Sequence, residues 1–451
     1  MIKLFDWTGE PFTEAGLAFL LQWLNKEKPS DINLNDLDSI KKELVIIYSN
    51  GVWKKNLYTF LTSNSVFTHR AYDNNRKQEI RSHFEFLTID LHELGDSNGC
   101  TLCGRRKPAA IPRKKKDFFY AGRENLPLSG SGSFLNFFPH FTGGMQICKG
   151  CLFLILLSPL NSVKIGGRMG IISTSNKKLL IEITKENYKE LVKQLASNNF
   201  TGANSLDISN PTNNLFKLLE NIIYHNEEYF IDENAHLRLL SFTNFGQSAD
   251  QDIYDLPNNC FSLIKKIGFH KLWNEWWQIV FKGSTAKNKE IDEEKWYNNH
   301  NIVYSNLLEG KGILGFFYNK DERKMIASWQ LIKLYLREYL NMDQQKIDMI
   351  KKLGNEISEA IKRRGTKRGL MELESVEKKE DFLNVLLKIQ KDKIESDEPK
   401  VIFTLDDIAE LFFTEQYNDW KTIRQLFLFR IYENLYEWLK EKSEENTETT
   451  T

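Results

Sequence analysis

Two Cys-X-X-Cys pairs, Cys100-Thr101-Leu102-Cys103 and Cys148-Lys149-Gly150-Cys151, constrain this chain more than any other feature. Soft thiolates in two close pairs are what a tetrahedral zinc ion takes, and each pair can turn both its sulfurs toward one ion. Residues 104–147 separate the pairs, a long interval for a compact ribbon. Loop closure grows only logarithmically with length, so the insertion costs about 0.8 kcal/mol more than a loop of about 18 residues. A structural zinc contributes about 10–16 kcal/mol in small peptides, far more than that difference. Cys100, Cys103, Cys148 and Cys151 are therefore expected to hold one structural Zn2+.

Two other thiol chemistries compete with the metal. A thioredoxin-like redox motif puts its second Cys on a helix within a βαβ unit, whereas Cys100 follows the loop Gly95-Asp96-Ser97-Asn98-Gly99. Disulfides suit secreted proteins, and Met1-Ile2-Lys3-Leu4-Phe5-Asp6-Trp7 lacks the basic-then-apolar pattern of a signal peptide. The longest apolar run, Leu152 to Leu157, is far shorter than the ~20 residues of a spanning helix. A cytoplasmic location without a membrane is expected. Cys260 stands alone before Phe261 and Leu263 and reads as a small buried apolar residue.

With 451 residues the chain can build more than one core. The expected class is α+β. A mixed N-terminal domain over 1–257 carries the zinc module at about 95–155, a helical connecting region runs over 258–324, and a C-terminal α-helical bundle covers 325–451. Ala15, Ala18, Phe19, Leu21 and Trp23 mark a first helix. A second is expected from about Asn35 through Leu37, Ile40, Leu44 and Ile47 toward Leu57, and a polar stretch from Ser63 to Asn75 then leads to the cysteine region. Leu152–Leu157, Met169–Thr174, Leu179–Ile183 and His236–Phe242 read as strands, Lys185 to about Leu195 as a helix, and Pro211 as the start of another. From about Asn258 the pattern is helical. Apolar stripes at Ile347, Ile350, Leu353, Ile357 and Ile361 and at Ile423, Phe427, Ile431 and Leu435 recur at three- and four-residue steps, and Thr404 caps a helix with acids in its first turn.

Acidic and basic residues balance at 61 each, so any nucleic-acid contact must come from local patches. Two stand out. Between the cysteine pairs, Arg105, Arg106, Lys107, Arg113, Lys114, Lys115 and Lys116 precede the first acid, Asp117. Further on, Lys362, Arg363, Arg364, Lys367 and Arg368 with Gly365 and Gly369 form a basic turn between helices. A charge run is commonly a solvated face, but a metal at the base of the first loop can hold its Arg and Lys toward phosphates or base edges. The Phe134, Phe137 and Phe138 cluster reads as packing around the metal. Gly166-Gly167-Arg168-Met169-Gly170 lacks a following Lys-Ser/Thr and precedes a strand, which excludes a phosphate loop.

Catalytic constellations are missing from the sequence. Only His140 lies between the pairs, with Asp117 and Glu124 as acids, and four thiolates would close the ion to substrate. No His-Glu-X-X-His, Gly-X-Ser-X-Gly or Walker pattern occurs. A binding protein is expected rather than an enzyme.

Trp7-Thr8-Gly9-Glu10-Pro11-Phe12 with Ala15-Gly16, Trp53-Lys54-Lys55-Asn56-Leu57, and the two cysteine pairs in this order resemble the large subunit of type I CRISPR effector complexes (Cascade), in the type I-B group with paired Cys-X-X-Cys motifs. The resemblance covers about the first third of the chain. It implies a non-enzymatic subunit of a ribonucleoprotein, whose partners are a guide RNA and the other effector-complex subunits. Such a subunit reads a protospacer-adjacent motif in double-stranded target DNA, aids strand opening, binds the displaced strand, and helps recruit a helicase-nuclease in trans. It also implies that a C-terminal fragment can be translated internally, with Met325, Met342 and Met349 as candidate starts and Met325 the best placed ahead of Ile326, Trp329, Ile332 and Leu336. The alternatives are a free-standing zinc-ribbon protein acting on nucleic acid as a nuclease or regulator, and a purely structural scaffold.

Overall fold

A computed structural model describes residues 3–62, 64–91, 99–111, 120–128, 144–165, 167–197, 200, 204–205, 208–225, 236–244, 250–284, 296–395, 400–413 and 420–448. The fold is α+β. Two compact units make up the chain: Met1–Asn258 with Asp292–His300, and Asn259–Ile291 with Asn301–Thr451.

The first unit begins with α1 (Pro11–Trp23), whose start is written into its sequence. The Glu10 carboxylate accepts the N–H groups of Phe12 and Thr13 at 3.1 and 2.7 Å, and Pro11 takes a position where no N–H is needed. The second expected helix is two helices, α2 (Leu34–Ser49) and α3 (Gly51–Phe60). Asn50 divides them: its backbone is extended and its side chain caps α3, accepting from Val52 at 2.8 Å. A further helix, α4 (Arg76–Thr88), fills a stretch read as leading straight into the cysteines. Its apolar residues Ile80, Phe84 and Leu87 do stand at helical spacing, within an otherwise polar segment.

Two expected strands are helices. Leu152–Leu157 belongs to α5 (Lys149–Leu157), and Leu179–Ile183 to α6 (Lys177–Ala196). A fully apolar run has no period by which to tell a buried strand from a buried helix, and here local caps decide. Cys148 caps α5, its sulfur accepting the N–H of Cys151 at 3.4 Å, and Asn176 caps α6, accepting from Leu179 at 3.1 Å. The helix expected from Lys185 is the continuation of α6.

Between these helices run β1 (Val163–Ile165) and β2 (Arg168–Thr174), followed after α6 by β3 (Asn204–Ser205), α7 (Pro211–His225), β4 (Leu237–Thr243) and β5 (Asp250–Leu256). The sheet order is β3-β1-β2-β4-β5, antiparallel except for β1 beside β3. Helix α1 packs against α5, α6 and β2, and so ties the cysteine-bearing helix to the sheet. Gly16 makes the α1–α5 approach possible: a Cβ there would lie 1.8 Å from the Leu154 carbonyl oxygen. A buried polar knot secures the same region, with Asn161 Nδ2 donating to the Ala15 carbonyl and to Thr184 Oγ1, both at 2.9 Å.

The second unit is mostly helical: α8 (Asn258–Phe269), α9 (Trp273–Lys282), α10 (Ile302–Leu308), the ribbon β6 (Tyr318–Asn319) and β7 (Lys324–Met325), α11 (Trp329–Leu334) running into a π-turn at Tyr335–Tyr339, then α12 (Gln344–Arg363), α13 (Arg368–Ser375), α14 (Lys379–Ile394), α15 (Leu405–Phe412) and α16 (Trp420–Glu448). Ile347, Ile350, Leu353, Ile357 and Ile361 of α12 are all buried, as are Ile423, Phe427, Ile431 and Leu435 of the facing α16. Thr404 caps α15 reciprocally with Asp407. Cys260 is buried in α8, its thiol donating to the Leu307 carbonyl at 3.2 Å. Among the described residues, no helix is long and apolar enough to cross a membrane.

The candidate start Met325 lies in β7 opposite Tyr318, whose ring also packs on Phe429 and Tyr432 at centroid distances of 5.0 and 5.8 Å. Past it, Tyr335 packs on Phe317 at 5.2 Å and the Tyr339 hydroxyl donates to the Leu307 carbonyl at 3.2 Å. Met342 precedes Asp343, the cap of α12, and Met349 lies within that helix.

Candidate metal centre and the basic segments around it

The first cysteine pair sits on a tight turn. Cys100 donates its N–H to the Arg106 carbonyl at 2.7 Å, Gly104 returns to the Cys100 carbonyl at 2.7 Å, and Gly104 adopts φ +67°, which favours glycine. The second pair sits on the opening turn of α5, where Leu152 donates to the Cys148 carbonyl at 3.0 Å. Backbone bonds bring the two together across the long insertion: Thr101 donates to Gln146 at 2.8 Å, Ala109 to Ile147 at 2.9 Å, and Ala121 and Met145 exchange a pair at 2.8 and 2.9 Å. The insertion therefore begins and ends on a paired base.

All four sulfurs lie within 4.8 Å of one another, with Cys103 and Cys148 at 3.8 Å. Zn–S bonds of about 2.3 Å directed to the corners of a tetrahedron put sulfurs about 3.8 Å apart, so the spacing matches a shared ion. Every cysteine is a free thiol, and 3.8 Å is well beyond the about 2.05 Å of a disulfide. Cys100, Cys148 and Cys151 are buried and Cys103 is half-buried. Four thiols this close must share their protons. Hydrogen bonding, from Cys100 above all, pulls the Cys103 thiol well below its usual range, while bonding to Cys100 and then Cys103 pushes Cys148 and Cys151 up. A divalent cation would resolve that conflict by taking all four as thiolates.

The donor set fits zinc. Cys100, Cys103, Cys148 and Cys151 would hold it, and with four protein ligands it would lend cross-linking strength and leave no position for a substrate. The second pair does open a helix, as a redox pair would, but α5 packs on α1 and α4 rather than in a βαβ unit, and two further sulfurs share its space.

The structure separates the basic residues expected to act together. Arg105 is exposed and pairs with Asp6 at 3.0 Å. Arg106 is buried, at 9% exposure, and donates to the Lys3 carbonyl. Lys107 is exposed, whereas Arg113, Lys114, Lys115, Lys116, Asp117, His140 and the Phe134–Phe138 cluster lie outside the described residues. In the second unit, Lys362 and Arg363 are exposed at the end of α12, Gly365 turns the chain at φ +67°, and Lys367 is half-buried. Arg364 pairs with Asp392, and Arg368 with Glu372 at 2.9 Å. Lys3 and Asp6 also border the cysteine cluster, and nothing in their positions far from it in the chain marked them, whereas Lys149 lies within the second pair itself.

Residues 93–163 match the model of a family described as CRISPR-associated protein (Cas_CXXC_CXXC). The matched segment spans both cysteine pairs, all of α5 and the start of β1. No curated protein and no solved structure matches the chain.

Proposed function

We propose that this chain is a non-catalytic large subunit of a type I-B CRISPR effector complex, binding DNA through basic segments based on a structural zinc. The observation that carries the reading is the match over residues 93–163, centred on four cysteines whose spacing suits a closed ion. In that role the subunit reads the protospacer-adjacent motif in duplex DNA, helps open it, and holds the displaced strand, while target sequence is read by guide RNA. The helicase-nuclease then joins in trans. Arg105 and Lys107 stand at the base of the first loop, with Arg113 to Lys116 further along it. Lys362 and Arg363 offer exposed charge to a single strand in the second unit.

Affinity purification tests this reading: the chain is expected to bring down guide RNA and other effector subunits, and alone with added divalent metal to leave DNA uncut. Autonomous cutting would favour a nuclease. Replacing Arg105, Lys107, Arg113, Lys114, Lys115 and Lys116 together by alanine is expected to weaken DNA binding by the assembled complex. Each lost phosphate contact should lower the slope of log K against log salt by about 1. An unchanged affinity, slope and motif choice would make the loop a solvated face.

The same reading includes an internally started C-terminal fragment, for which Met342 is a better start than Met325. A chain beginning at Met325 keeps Tyr335 and Tyr339 but loses their partners Phe317 and Leu307, whereas one beginning at Met342 omits both tyrosines and keeps the Asp343 cap and every helix from α12 to α16. Intact-mass analysis of complex made from the native gene is expected to find a chain beginning at Met342. Full activity with no such chain removes the idea.

A further inference from the structure

A cavity of about 120 Å3 lies in the second unit between α12 and α14. Its floor is apolar: Ala360 and Ile361 of α12 and Ile389 of α14 are all buried. Around them stand Arg363, Arg364 and Lys393, with Asp392 the one acid among the lining residues. Arg364 pairs with Asp392 and cancels that acid, so the lining as a whole remains positive. Lys393 is distant in sequence from the basic turn at Lys362–Arg368 and joins it through the packing of the two helices.

Size and charge placement limit what can enter. An apolar protein cavity of about 150 Å3 takes up benzene, so this one has room for a single six-membered ring and not for the fused rings of a purine. Arg363 and Arg364 are both exposed, and Lys362 stands exposed beside them, so an anionic group attached to a seated ring meets cations that solvent already reaches. The cavity lies at the C-terminal end of α12, where the last carbonyls favour cations and disfavour a buried anion. A phosphate therefore stays at the rim, and the ring takes the apolar floor. Guanidinium planes also stack on bases, which suits a ring lying between two arginines.

We infer that the cavity between α12 and α14 seats one pyrimidine base of single-stranded DNA, its ring on Ala360, Ile361 and Ile389 and its phosphate at Arg363. The inference rests on the proposed binding of a displaced strand and adds to it a contact that reads base size. The methyl group of thymine meets the aliphatic floor, as it meets apolar side chains elsewhere. Adenine and guanine are held outside. An aromatic side chain of a partner protein would fill the same floor but bring no anion to the basic rim, so a nucleotide is the better match.

The test uses the full zinc-loaded chain and fluorescence anisotropy with short labelled strands of equal length: oligo-thymidine, oligo-deoxyadenosine and an abasic sugar-phosphate strand. Oligo-thymidine is expected to bind roughly tenfold more tightly than the abasic strand, and more tightly than oligo-deoxyadenosine. Ala360→Leu fills the floor without changing charge and should abolish the preference for thymidine while leaving the salt slope unaltered. Arg363→Gln, at an exposed position, should weaken all three strands and lower that slope by about 1, and it keeps the test valid even where the Leu variant disturbs packing. Equal binding of thymidine and abasic strands, or a thymidine preference unchanged in both variants with circular dichroism intact, overturns the site. Uptake of a phenylalanine dipeptide in place of thymidine monophosphate overturns it too and assigns the cavity to a partner's side chain. If strands still bind without any base preference, the proposed function stands and the cavity falls; if thymidine monophosphate binds through Arg363 and neither the chain nor its complex holds a strand, the function falls and the cavity remains.

Discussion

Cys151→Ala is expected to release the metal and to loosen the first unit as a whole, not merely one loop. Cys151 lies in the first turn of α5, and beyond it Leu152, Phe153, Leu154, Ile155, Leu156 and Leu157 are all buried. The helix joins the cysteine cluster to α1 and α4, so the loss of a ligand to a bound metal would free an end that the core depends on. A structural zinc is worth about 10–16 kcal/mol in isolated finger peptides. Even part of that is comparable with the about 5–15 kcal/mol that holds a typical domain folded. Urea unfolding monitored by circular dichroism should show a large loss of stability in Cys151→Ala, and elemental analysis a loss of zinc. Cys260→Ala, which changes a buried thiol outside the cluster, should keep its metal. Equal zinc content in the two variants would contradict the assignment of Cys151 as a ligand.

Gly16→Ala is expected to cost about 3 kcal/mol or more, although it adds one methyl group to a helix. The added carbon would meet the oxygen, carbonyl carbon and Cα of Leu154 at 1.8, 2.6 and 3.0 Å, and all three are backbone atoms. No side-chain rotation relieves such a clash. The helices must part by roughly 1.5 Å to restore ordinary contact, which opens the packing of α1 on α5. Because α5 carries Cys148 and Cys151, the same variant should lose zinc faster to a chelator. Gly51→Ala is the matched control: it starts α3 with nothing within 4 Å of its added carbon and should leave stability unchanged or raised by up to about 1 kcal/mol. A Gly16→Ala protein within about 0.5 kcal/mol of the parent would refute the close approach of the two helices.

The cysteine cluster was legible because ligand chemistry restricts residue type and spacing together, and a long insertion costs little entropy. The helical stripes of α12 and α16 were legible because each buries one face against the other. The α5 and α6 segments were not, since an all-buried run has no polar face to reveal its period, and the caps at Cys148 and Asn176 outweighed strand propensity. The reach of the basic segment was misleading for a different reason. Arg105, Arg106 and Lys107 are adjacent in sequence, but the turn that closes on Cys100 buries the middle one against Lys3 and leaves its neighbours outside. Burial of that kind depends on the N-terminal segment folding back on the cysteine turn, a contact between positions too far apart for local pattern to reveal.

Metal stoichiometry joined to thiol counting tests the central claim most directly. The full chain, purified without chelator, should contain about one zinc per molecule, with Cys100, Cys103, Cys148 and Cys151 resistant to alkylation until a chelator removes the ion. Mass spectrometry should then find these four newly alkylated together. A metal-free chain whose four thiols are reactive from the outset, or one in which they are paired as disulfides, would contradict the account.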